Sequence, residues 1–173
     1  MAEVIMIVAT EGFRDSECFT PKQILENRGH EVKIASNKEG IAKGADGGTI
    51  NVDMLVQEIN PEDFDAVVFV GGPGALENLD NKDSYKVAQA TVVADKLLAA
   101  ICISPVILAK AEVLKGKKAT VWSSEVNQVP AETLLEHGAI HTGVPVTVDG
   151  KIITANGPAV ATEFGEKIAE MLS

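Results

Sequence analysis

The chain predicts a single doubly wound, flavodoxin-like α/β sandwich, with a mostly parallel sheet, helices on both faces and one β-hairpin. Three observations carry that expectation. The short runs Val4–Ala9, Asp65–Val70 and Leu97–Ile101 are almost wholly apolar, as strands buried on both faces are. Stretches of helical length and periodicity alternate with them. Unusual chemistry, in glycines and a cysteine, gathers where these runs end, and ligands of open α/β sheets sit beyond the carboxyl ends of the strands.

Taken in order, Val4–Ala9 is a first strand, rich in β-branched residues. The polar segment Thr10–Ser16 breaks it. Glu17–Arg28 then reads as a helix with Phe19, Ile24 and Leu25 on its inner face and Gly29 as its C-terminal cap. Glu31–Ser36 completes a βαβ unit, whose crossover should be right-handed. Lys43–Gly48 is turn chemistry, and Thr49–Asp53 is a short exposed strand. Pro61–Asp63 introduces the strand Asp65–Val70, which ends in Gly71-Gly72-Pro73-Gly74. Asn81 or Asp83 caps a helix that turns Tyr85, Val87 and Ala88 inward, ahead of the strand Leu97–Ile101. The helix Ser104–Leu114 ends at the turn Lys115–Lys118, whose lysines complement the helix dipole. Ala119–Trp122 is another strand and Pro130–His137 a helix. Val146–Ile153 is a hairpin around Asp149-Gly150, and Ala159–Leu172 is a closing helix.

Residues 1–173 are enough for one domain with a sizeable core and too few for two ordinary ones. A hydrophobic fraction of 46% opposes disorder, and 4% aromatic residues oppose a base-stacking platform. The net charge of −10 opposes binding to phosphate backbones or anionic membranes. Neither nucleic acid nor membrane is an expected partner. Two cysteines in a domain of this size suit a reducing compartment, and the first apolar run reads as a strand rather than a signal peptide. The expected location is the cytoplasm.

Cys102 is the leading chemical candidate. It follows the apolar run Leu97–Ile101 directly, and Ser104-Pro105 then opens a helix. A nucleophile in a sharp strand-to-helix turn is lifted above the sheet edge. A helix dipole contributes only ~0.3–1 kcal/mol to a thiolate, up to ~2 in good geometry, so a hydrogen-bond donor to the sulfur is also needed. Glu17 is that candidate, because desolvation beside a thiolate favours the protonated carboxyl; the alternative is a plain charge–dipole contact. Gly71-Gly72-Pro73-Gly74 lacks a phosphate-cradle signature, and reads either as amides approaching an oxyanion or as a tight turn. His30, His137 and His141 are all remote in sequence from Cys102, and no Cys/His spacing suggests a metal. Cys18 reads as a packing residue, with secondary oxidation as the lesser option.

These residues resemble the ThiJ/PfpI superfamily, which includes PfpI-type intracellular proteases and the parkinsonism-associated protein deglycase family. The resemblance rests on AAIC at Ala99–Cys102 and VVFVGGPGA at Val67–Ala75. The Gly12–Glu17 loop with its helix through Pro21, LKGKKAT at Leu114–Thr120 and TANGP at Thr154–Pro158 support it. It implies a nucleophilic Cys102, a protonated Glu17 bonded to its sulfur, and amides of Gly72 and Ile103 facing a substrate oxygen. Gly71, Trp122 and Pro158 are then expected around the pocket, with no cofactor and no metal. The implied function is a stress-response protein whose Cys102 thiolate acts on reactive carbonyls, glyoxalase- or deglycase-like, or is oxidised to sulfinate. A redox sensor or chaperone-like binding protein without turnover is the alternative. Expected partners are small electrophilic metabolites or modified proteins, and further copies of the chain in a homodimer or larger assembly. Two departures stand out. PfpI-type proteases place a histidine directly after the cysteine, where this chain has Ile103. The deglycase branch supplies one at the end of the next strand, where this chain has Trp122-Ser123-Ser124. Peptide hydrolysis is therefore disfavoured.

Overall fold

The structure, a computed structural model, describes all of residues 1–173. In chain order it comprises β1 (Glu3–Val8), β2 (Glu11–Phe13), α1 (Asp15–Asn27), β3 (Glu31–Ser36), β4 (Ile41–Gly44), β5 (Thr49–Asn51) and β6 (Met54–Leu55). There follow β7 (Ala66–Phe69), α2 (Ala75–Leu79), α3 (Lys82–Val93), β8 (Leu97–Ile101) and α4 (Pro105–Lys110). The last part holds β9 (Lys118–Ala119), α5 (Val129–Glu136), β10 (Ile140–His141), β11 (Val146–Asp149), β12 (Ile152–Ala155) and α6 (Ala161–Met171).

The central sheet has seven strands in the order β11-β12-β8-β7-β1-β3-β6, all parallel except the β11–β12 hairpin. Side chains of β1 alternate between two cores, as period-2 geometry requires. Ile5 and Ile7 pack with Val87, Ala88, Ile107 and Leu134 on the face covered by α3, α4 and α5. Val4, Met6 and Val8 pack with Leu25, Phe164 and Ile168 on the face covered by α1 and α6. Every residue of β7 and β8 is buried, which explains their unbroken apolar sequences. The hairpin pairs Asp149 with Ile152, so its loop is Gly150-Lys151. Gly150 takes φ +59 and Lys151 does not turn positive, as a type II′ loop requires. No helix is long and apolar enough to cross a membrane.

Several boundaries differ from the sequence reading. Thr10–Ser16 is not a simple break: Glu11–Phe13 forms β2, which pairs with β4, itself paired with β5, in a separate three-stranded sheet. Lys43 and Gly44 accordingly belong to a strand, leaving Ala45–Gly48 as the turn. Helix α1 begins at Asp15, so Glu17 lies within its first turn. Asn81, not Asp83, caps α3 by accepting a bond from the Ser84 amide at 3.2 Å. Tyr85 is only half-buried, because its hydroxyl reaches out to Asp80. Helix α4 stops at Lys110, well short of Leu114. The run Ala119–Trp122 does not join the central sheet. Only Lys118–Ala119 is a strand, paired with β10, and beyond it the Trp122 amide is bonded to the Cys102 carbonyl at 2.7 Å.

Candidate active site

Strand β8 delivers Cys102 to the carboxyl end of the sheet, where the chain turns sharply before α4. Cys102 takes φ +64, a left-handed conformation that costs a residue with a side chain on the order of 1–3 kcal/mol. Its surroundings hold it there. The Cys102 amide donates to the Ala155 carbonyl at 2.8 Å, and its own carbonyl accepts from Trp122 at 2.7 Å. Ser104 closes the turn from below, its amide bonded to the Ile101 carbonyl at 3.1 Å and its hydroxyl to the Val70 carbonyl at 2.8 Å. Trp122, predicted near the pocket, is thus placed by the backbone of Cys102.

The tight-turn reading of Gly71-Gly72 holds at Gly72, and both glycines are required by close packing. A Cβ at Gly71 would stand 2.6 Å from the Cys102 Cβ and 2.7 Å from Glu17 Oε1, so only glycine leaves room for the pair. Gly72 takes φ +121, and a Cβ there would lie 2.3 Å from the Arg14 amide nitrogen. Close approach and unusual backbone are both required. The Arg14 amide in turn donates to the Gly71 carbonyl at 3.0 Å, and Gly74 donates to the Gly12 carbonyl at 2.9 Å. These bonds stitch the loop before α1 to the glycine turn and so set Glu17 against Cys102.

Glu17 is wholly buried, and neither carboxyl oxygen has a hydrogen bond of ordinary geometry. The Cys102 thiol is the side chain set against it. Burial raises the Glu17 carboxyl to about 7, against the lowering influence of the thiol, of the Arg14 charge and of the Gly71 amide. Burial also pushes the Cys102 thiol up to about 12, aided by the neighbouring Glu17 carboxyl. Amides of Ile103 and Gly72 pull the other way, toward the thiolate. Two groups this close titrate as a unit. Burial raises both groups above their ordinary values, and the protonation of each depends on that of the other. The six-residue α4 supplies little dipole, so the helix N-terminus matters less than its sequence suggested.

Above the thiol lies a cavity of about 350 Å³. Of the residues predicted for the site, Gly72, Cys102, Ile103, Trp122 and Pro158 line it. Glu17 and Gly71 lie behind the thiol rather than in the wall. The sequence reading missed Arg14, Pro73 and Leu76, which complete the lining. Pro73 was within reach, because it sits inside the glycine turn. Larger clefts of about 440 and 520 Å³ exist elsewhere, and neither touches Cys102 or Glu17. No histidine lines the cavity. His30 accepts from the Ala2 amide at 3.0 Å, His137 meets Glu112 at 2.9 Å, and His141 borders a different cleft. No group of three or more His, Cys, Asp or Glu residues is placed to hold a metal ion. Cys18 is fully buried on α1, and burial pushes its thiol up to about 12.

An open, mostly parallel sheet with a cysteine in a strained strand-to-helix turn defines a class of flavodoxin-like α/β proteins with an elbow thiol. Within that class the chain belongs to the DJ-1/PfpI family, whose sequence profile residues 2–171 match. An uncharacterised protein of Methanocaldococcus jannaschii is 38% identical over 172 residues, 99% of this chain and 82% of its own length. Deglycase PfpI of Pyrococcus furiosus is 32% identical over 154 residues, 89% of this chain and 90% of its own. Among solved structures, the ThiJ/PfpI domain protein of Brachyspira murdochii superposes with a TM-score of 0.92 at 31% identity, over 98% of this chain and 95% of that one. Drosophila melanogaster DJ-1beta gives 0.87 at 28% identity, over 99% and 90%.

Proposed function

We propose that the protein is a carbonyl-reactive cysteine enzyme of the glyoxalase or deglycase kind, in which Cys102 and Glu17 work as a one-proton pair. The observation that carries the reading is the buried carboxyl set against an elbow thiol at the floor of a cavity. Relatives named as deglycases support it. The Cys102 sulfur adds to the carbonyl carbon of an α-oxoaldehyde while the carbonyl electron pair moves onto oxygen. Glu17 takes or already holds the thiol proton, and a carboxyl poised near neutrality suits that task. Amides of Gly72 and Ile103, which face the sulfur, receive the developing oxyanion. Transfer of the carbon-bound proton to the adjacent carbonyl gives a thioester. Water then hydrolyses it to a hydroxy acid and restores the thiol, so methylglyoxal plus water becomes lactate. With no histidine at the cavity, Glu17 carries these proton transfers. A Cys102→Ala variant should lose methylglyoxal consumption; consumption equal to wild type overturns the reading. A PfpI-type peptidase is less well supported, because Ile103 stands where the partner histidine would.

A second reading rests on the contrast in exposure. Cys102 reaches the cavity while Cys18 is sealed, so peroxide should oxidise Cys102 selectively. The thiol and two peroxide molecules yield sulfinate and two waters, and the chain acts as a redox sensor or chaperone-like binder without turnover. Peptide mapping after peroxide treatment tests it, and oxygen added equally to both cysteines contradicts it. Both readings place the protein in a reducing cytoplasm, in keeping with its two free thiols. The family resemblance further supports a homodimer or larger assembly, which sedimentation of the purified chain would measure.

A further inference from the structure

We infer that the Cys102 cavity is selective for carbonyl electrophiles that carry a bulky apolar group, such as branched α-oxoaldehydes, over ones as small as methylglyoxal. The inference rests on the proposed reactivity of Cys102 and narrows its substrate class. Apart from Gly72, Cys102 and Arg14, the cavity is walled by Pro73, Leu76, Ile103, Trp122 and Pro158. Arg14, the one charged residue among them, already meets Asp46 at 3.0 Å. A volume of about 350 Å³ is of the size that takes drug-sized ligands, and a three-carbon dicarbonyl fills little of it.

Topology puts apolar walls on both sides of the sulfur. Strand β8, which delivers Cys102, lies between β7 and β12. The chain leaving β7 supplies Pro73 and, on α2, Leu76, while the chain leaving β12 supplies Pro158. Trp122 lies beside that second wall, its Cδ1 3.8 Å from where a Cβ on Gly157 would stand. Pro73 and Pro158 have no amide hydrogen to donate, and the Trp122 amide is committed to the Cys102 carbonyl at 2.7 Å. Backbone donors therefore converge at the Gly72 and Ile103 amides, which face the sulfur. The carbonyl end of a substrate belongs there, and the rest of it lies against apolar wall. Pro73 and Pro158 are exposed and Leu76, Ile103 and Trp122 half-buried, so an apolar group that covers them is favoured. The proposed chemistry accepts such a group unchanged. An α-oxoaldehyde R–CO–CHO keeps its aldehyde hydrogen whatever R is. Sulfur adds at the aldehyde carbon, that hydrogen passes as a proton to the adjacent carbon, and water releases R–CH(OH)–COOH with no bond to R broken.

Alkylation by chloroacetone and chloropinacolone tests this without requiring turnover. Both form an S–C bond to Cys102 at the carbon beside a ketone and expel chloride, and they differ in a methyl against a tert-butyl group at the place of R. The ratio of the chloropinacolone to the chloroacetone rate constant at Cys102, measured by peptide mapping and divided by the same ratio for a free cysteine peptide, should be roughly tenfold or more. That is the low end of what one methylene is worth in an apolar pocket. Leu76→Gln, which keeps a good helix former of similar size, and Trp122→Ala should each lower the ratio about fourfold, the worth of one buried methylene. Effects on the thiol itself cancel in the ratio. A ratio near one in the wild-type chain, or one unmoved in both variants, overturns the inference while leaving the reactive thiol standing. Failure of both reagents at Cys102 overturns the reactive thiol and the inference with it. A high ratio in a protein that consumes neither methylglyoxal nor tert-butylglyoxal upholds the apolar selectivity and removes only the α-oxoaldehyde turnover.

Discussion

Cys18 and Cys102 are the chain's two thiols, both stand against burial, and both are pushed up to about 12, yet their surroundings have little else in common. Cys18 sits inside α1 in ordinary helical backbone, wholly enclosed, packed with the core beneath the sheet. Its shift comes from desolvation, with small opposed contributions from Lys22 and Asp15. Cys102 sits in left-handed backbone, reaches a cavity, and owes part of its shift to a carboxyl that can accept its proton. The same resting value therefore describes an inert thiol and one with a proton acceptor beside it. On the proposed chemistry, reactivity is set by where the thiol proton goes, and only Cys102 has a carboxyl set against it.

The widest separation of the two sites is expected in catalysis. Glu17→Gln should lower methylglyoxal consumption by about 10²–10⁴, the usual worth of a positioned acid–base group, whereas Cys18→Ala should leave it near wild type. A large loss in both variants would erase the distinction. Stability should move in the opposite sense from activity. The unfolded Glu17 ionises at its ordinary 4.5 and the folded one near 7, so its burial costs nothing below 4.5 and a growing amount as pH rises to 7. At pH 8 that cost is about 3 kcal/mol. Glu17→Gln should accordingly stabilise the fold in urea by up to that amount at pH 8 and by little at pH 4.5. A variant equally or less stable at both pH values would show that the buried carboxylate carries no such cost.

Gly71→Ala should cost about 1–3 kcal/mol of stability, as overpacked sites do, and should separate the thiol from its carboxyl. Its Cβ would meet the Ile101 carbonyl and the Cys102 Cβ, both at 2.6 Å. Denaturant titration and Cys102 alkylation read the two effects, and an alanine accepted at no cost to either would contradict the geometry. Cys18→Ala should give the smallest change, a loss of about 1 kcal/mol from one buried sulfur with no change at Cys102, read from the same two measurements.

The elbow was legible because β7 and β8 are buried on both faces, so their sequences are unbroken apolar runs that stop where the sheet stops. Cys102, Gly71 and Gly72 follow those stops directly, and local sequence pointed to them. Glu17 was legible through the resemblance more than through its position, since a carboxylate in a first helical turn is commonplace. Arg14 was not legible. Its place in the cavity wall depends on hydrogen bonds from the loop before α1 to a turn far along the chain, and nothing in Thr10–Ser16 announces them. The short strand β2 was hidden for the same reason, because its partner β4 is remote in sequence. Ala119–Trp122 misled in the reverse direction: its composition suits a strand, but Trp122 is bonded to the elbow instead of to a neighbouring strand.

The proposed sharing of a proton is most directly tested by the pH dependence of Cys102 alkylation with iodoacetamide, in wild type and in Glu17→Gln. The one-proton pair predicts a rate that rises with a midpoint near 7, where the pair gives up its first proton, and a loss of that rise in the variant. A single rise near the ordinary thiol value of about 8.5, identical in both proteins, would mean that Glu17 does not share the proton of Cys102.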